Sequence, residues 1–135
     1  PEPRRISRLT PTDDGLDLHV MGQHPVKFDE VLAVSVGQGA EGIQIVLVIA
    51  GQNRPFCATP LQVSLPDFPF PHRPMVAMNL LGLVYHLVKQ CPVLVLDEGT
   101  ADFLEGAPLP RIGRLAEHAA ALLQAATEPS GPPQP

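Results

Sequence analysis

Apolar and polar positions alternate along the first half of the chain and recur at three- and four-residue spacings along the second. Gly15-Leu16-Asp17-Leu18-His19-Val20 has the two-residue period of a half-buried strand. Met21 to Pro25 reads as a turn, with Val26 and Phe28 continuing the sheet. Glu30 to Val36 puts Val31, Ala33 and Ser35 on one face and Leu32, Val34 and Val36 on the other. Ile43 to Ala50 is so dense in β-branched residues that strand is favoured over helix. Gly51-Gln52-Asn53 then turns the chain, and Arg54 to Thr59 returns as the partner strand. Ile6 and Leu9, and the alternating Leu61, Val63 and Leu65, add short strands, for about five to seven in all.

The stretch Pro66 to Pro74 carries four prolines and excludes both helix and central strand. It is a stiff connector, with Pro74 placed for the first turn of a helix over Met75 to Gln90. In that helix Ala77, Leu80, Leu81, Val84, Leu87 and Val88 share one side, and Pro92 stops it. Val93 to Leu96 is a short apolar strand or an extended segment. Thr100 is the expected N-cap of a short helix through Leu104. A further helix is expected from about Arg111 to Thr127, with Ile112, Leu115, Ala116, Ala119, Leu122, Leu123 and Ala126 as its apolar stripe.

Strands first and helices afterwards imply an α+β fold with an antiparallel sheet. Two plans fit: a bent sheet or partial barrel closed by a helix, or an open sheet with the helices on one face. The first is similar in plan to pleckstrin-homology-like adaptor domains, a likeness of architecture with no motif behind it.

Composition narrows the function classes. At 135 residues with 44% hydrophobic residues, the chain suits one core, and residues 1–127 are expected to form a single domain with 128–135 as a Pro-rich tail or linker. The 17 prolines cluster at these boundaries. A net charge of −5 argues against nucleic-acid binding, since Arg4, Arg5 and Arg8 form the one basic cluster and Asp13, Asp14 and Asp17 follow it. Two cysteines, Cys57 and Cys91, read as buried apolar residues in a reducing, cytoplasmic compartment. No apolar run is long enough to insert in a membrane. The opening Pro-Glu-Pro, without an initiator Met or signal region, is that expected of a piece of a larger, bacterial protein.

Candidate chemistry is sparse. Gly37-x-Gly39-x-x-Gly42 follows a strand, but a strand also follows it, whereas a dinucleotide fingerprint must open a helix. It reads as a loose hairpin loop. His19 and His24 near three aspartates match no metal-loop spacing. Cys91 sits at a helix C-terminus, the wrong end of the dipole for a reactive thiolate. Asp97, Glu98, Asp102 and Glu105 read as capping or solvated carboxylates. No catalytic residue, metal or cofactor is expected. The leading expectation is a non-catalytic protein-interaction or adaptor domain with an unidentified protein partner, or self-association. Its candidate contact residues are Phe68 and Phe70 in the connector and Leu115 and Leu122 on the last helix. The alternative is a small-molecule-binding or enzymatic domain using a pocket near residues 97–105 with His72 or His86.

Overall fold

The computed structural model describes residues 2–64 and 76–127, with the backbone alone for 76–79. The fold is α+β, but the strands form two sheets rather than one. A three-stranded antiparallel sheet has the order β2-β3-β4, built from Arg8–Pro11, Gly15–His19 and Gln23–Lys27. A five-stranded mixed sheet has the order β1-β7-β6-β5-β8. Its strands are Arg4–Arg5, Phe56–Ala58, Gly42–Ile49, Val31–Gly39 and Val95–Leu96. The expectation of one antiparallel sheet fails at its edges, where β1 pairs parallel with β7 and β8 pairs parallel with β5. Both edge strands are two residues long, too short to show a period in the sequence.

Alternation in β5 and β6 supplies two cores. Val34, Val36, Ile45, Leu47 and Ile49 face the larger one, which the three-stranded sheet fills with Leu9, Leu16, Leu18 and Val26. Helix α1, Val76–Gln90, closes it with Leu80, Leu83, Val84 and Leu87. Ala33, Val46, Val48 and Cys57 face the other way, under Ala119 and Leu122 of helix α3, Leu115–Thr127. A short helix α2, Glu98–Leu104, sits beside the β8 edge.

Five local expectations change. A register shift between Val31 and Ala33 puts Val31 in the larger core with Val34 and Val36 and Leu32 on the other face with Ala33. Pro25 lies in edge strand β4, a place proline tolerates, and the turn is tighter, with Met21 (φ 55°) and Gly22 (φ 121°) at its tip. The alternation at Leu61, Val63 and Leu65 gives no strand among the described residues: Pro60–Gln62 is a 3-10 turn, held by Thr59 N–H donating to Gln62 Oε1 at 2.9 Å, Leu61 is exposed, Val63 makes a single bridge to Leu9, and Leu65 lies outside the described residues. Helix α2 begins earlier than Thr100, with Asp97 as N-cap. Helix α3 begins at Leu115, because Arg111 instead pairs with Gln38 of β5.

The last change explains the glycines of β5. Gln38 N–H donates to Pro110 O at 2.8 Å and Ile112 N–H donates to Gln38 O at 3.1 Å. A Cβ on Gly37 would stand 2.5 Å from Ile112 Cγ2 and 3.0 Å from Pro110 O. Glycine there is the condition for residues 110–112 to lie on the strand. Gly37 to Gly42 is therefore a ladder rather than a loose loop, with Gly39 opposite Gly42 and the turn at Ala40–Glu41.

Candidate functional site

Alternation in β5 sends Ser35 toward α3, where it is fully buried. Its Oγ lies 2.7 Å from Nε2 of His118 on α3 and 3.4 Å from Oγ1 of Thr100 on α2. Thr100, also fully buried, donates to Asp97 Oδ1 at 2.6 Å and accepts from the N–H of Val36 at 3.0 Å. A hydrogen-bonded chain thus runs from carboxylate to imidazole and ties α2 and α3 to the strand between them. Asp97 and His118 also line a cavity of about 230 Å³ between β8 and α3, walled by Val95, Leu96, Ala121 and Leu122.

Serine beside histidine and an acid invites comparison with nucleophilic catalysis, but the geometry opposes it. A serine nucleophile must reach a carbonyl carbon, and Ser35 has 0% of its surface exposed. Its neighbours are strand, not an oxyanion-binding turn. The network positions helices; it does not present a nucleophile.

A second feature lies on α1. Tyr85 and Val88 are 51% and 43% exposed, and Val93 just beyond the helix is 55% exposed. Tyr85 and Val88 line a shallow apolar groove with Gly82, His86 and Lys89. Tyr85 Oη donates to Leu104 O at 2.6 Å, fixing its ring against α2. His86 stacks edge-on to Phe28 at 5.5 Å, and its Nε2 is buried without a partner.

The other residues singled out from sequence separate. Leu122 is 3% exposed in the core beneath α3 and Leu115 packs half-buried on the same cluster, so this stripe meets the protein's own sheet. Phe68, Phe70 and His72 lie outside the described residues. His86 does not line the cavity beside Asp97; the histidine that does is His118. His19 Nε2 pairs with Asp17 Oδ2 at 3.3 Å, while His24 packs against Phe56. Among the described residues no group of three or more His, Cys, Asp or Glu is placed to hold a metal. Of the basic cluster, Arg5 pairs with Glu41 at 3.0 Å and Arg4 lies over the Phe56 ring at 5.2 Å. No helix among the described residues is long and apolar enough to cross a membrane.

Neither His118 nor Ser35 stands out as a functional residue in the sequence alone. The available signal was a polar residue inside a strand that is apolar on both faces, as in Val34-Ser35-Val36.

Both cysteines are free and buried, Cys57 under α3 and Cys91 in the core beneath α1. Burial pushes the Cys57 thiol up and the Cys91 thiol up to about 11 from 9.0. A raised folded value keeps the thiol neutral while the unfolded thiol ionises. The stabilisation is therefore complete below about 9 and is lost as pH rises toward about 11. Chemical denaturation across that window should show a steeper alkaline decline for the wild type than for Cys91→Ala.

Comparison with known protein families, curated proteins and solved structures gave no match for this chain.

Proposed function

We propose that this chain is a non-catalytic protein-interaction module whose contact face is the C-terminal half of α1. The observation that carries the reading is the apolar groove at which Tyr85 and Val88 stay exposed. Exposed apolar surface of this kind suits an occupant that supplies apolar contact. Tyr85 is held in place by its bond to Leu104, so little rotamer freedom is lost when it is covered. The partner that fits is the apolar face of an amphipathic protein segment.

The test is affinity capture with the intact chain, followed by titration of the captured protein. Val88→Asp and, separately, Tyr85→Ala should each weaken binding about tenfold or more while circular dichroism stays unchanged. Retention of the partner by both variants would sink the reading, as would capture of nothing.

A second reading draws on the cavity beside Asp97 and His118: a small-molecule site at the 97–105 segment. The sealed hydroxyl of Ser35 argues for binding there rather than acyl transfer.

A further inference from the structure

The chain around α3 divides into a clip, a joint and a cover. Residues 110–112 are clipped to β5 by the two backbone bonds of Gln38, to Pro110 O at 2.8 Å and from Ile112 N–H at 3.1 Å. Gly113 and Arg114 follow, both exposed, and a Cβ on Gly113 would meet nothing within 4 Å. Helix α3 then lies across β5 and β6. A glycine in open space between a fixed segment and a helix can change its backbone dihedrals without collision.

The cover is thinly held. Of the 13 residues of α3, Ala119 and Leu122 are buried, and Leu115, Leu123 and Ala126 are half-buried. On the opposite face of the sheet, α1 buries Leu80, Leu83, Val84 and Leu87. Alanine removes little apolar area from water, so the hydrophobic hold on α3 is the smaller one. Packing is incomplete as well. A cleft of about 260 Å³ opens at the joint and the first turn of α3, bordered by Ile112, Leu115 and Ala116. The cavity of about 230 Å³ runs along its flank, between β8 and Ala121 and Ala125. Side chains that border a void forgo the dispersion contacts of a filled one. His118 Nε2, 2.7 Å from Ser35 Oγ, adds a polar tie from α3 to the sheet. Beneath lie Ala33, Val46, Val48 and the Cys57 thiol, all buried.

We propose that α3 swings as a unit about Gly113 while the two sheets and α1 stay closed, and that this motion uncovers Cys57. The closed form keeps an apolar face and a thiol out of reach, and the open form presents both. The motion is independent of the α1 groove, which lies on the other side of the five-stranded sheet.

The test is alkylation of the intact, native chain with iodoacetamide, read at Cys57 by peptide mass. Labelling tracks the population of the open form when reclosing is fast. Cys57 should react at least about a hundredfold faster than the global stability from urea denaturation allows. Two variants separate the routes. Ser35→Ala removes the tie to His118 and should speed labelling about tenfold. Val84→Ala weakens the core under α1; it should lower the urea midpoint yet leave the Cys57 rate unchanged, because the open form keeps that core. Equal acceleration by both variants would mean labelling through global unfolding and would overturn the proposal. No acceleration by Ser35→Ala would trace the exposure to another edge, such as β1, and would overturn it too. Amide exchange gives an independent readout: α3 should exchange well ahead of the β5–β6 hairpin, and equal protection of the two would count against the swing.

Discussion

Thr100→Val should lower the stability of this protein by about 3 kcal/mol, the loss of one buried donor–acceptor junction. Valine matches threonine in shape, so the packing term is small and the effect isolates the hydroxyl. That hydroxyl accepts from Val36 N–H at 3.0 Å and donates to Asp97 Oδ1 at 2.6 Å. Removing it leaves a buried N–H unpaired, which costs about 1–3 kcal/mol, and breaks a charge-assisted bond worth about 1.5–3 kcal/mol. The expected fall in Tm is on the order of 10 °C. Thr100→Ser keeps the hydroxyl and should stay within about 1 kcal/mol of the wild type, the value of one methyl group. Urea denaturation of the three proteins decides the matter. Equal stability of the valine and serine variants would show that the hydroxyl does not hold α2 to β5.

Phe56→Ala should cost about 3–5 kcal/mol, the range for truncating a buried aromatic ring. Phe56 is 0% exposed in strand β7, with the Arg4 guanidinium 5.2 Å above its ring and His24 5.8 Å away. It also stands opposite Arg4 in the parallel β1–β7 pair. Losing the ring therefore hollows the core and removes the surface on which the first strand rests. Two readouts follow: a lower urea midpoint, and faster tryptic cleavage after Arg4 and Arg5 under native conditions. Phe56→Leu should recover most of the loss. Wild-type resistance to trypsin in the alanine variant would separate β1 from the ring.

Periodicity located most elements because it reports which face of a segment is buried. The β5–β6 hairpin, α1 and the C-terminal part of α3 follow from their own residues. Strand β1 and the parallel pairing of both edges did not, since β1 and β8 hold two residues each and their partners are segments far away in sequence. The start of α3 was misplaced for a related reason. Arg111 and Ile112 suit a helix by composition, but the missing Cβ at Gly37 admits them beside β5, and no window around residue 111 contains that information. The polar network was similarly hidden. Ser35, Thr100 and His118 sit in three elements, and only their meeting makes them notable. Leu122 was legible as one of an apolar stripe, but the stripe alone does not say whether its cover is the protein's own sheet or another molecule.

The edge pairings also dictate an order of assembly. The β5–β6 hairpin joins neighbours through a two-residue turn, so it can close as soon as residues 31–49 are made. Strand β1 must wait for a partner about fifty residues later, and β8 reaches β5 across about sixty. During synthesis the face carrying Ala33, Val46, Val48 and Cys57 stays bare until α3 leaves the ribosome. A nascent chain halted before Leu115 would display that face to its surroundings, which makes α3 the shield of the sheet as well as a part of its core.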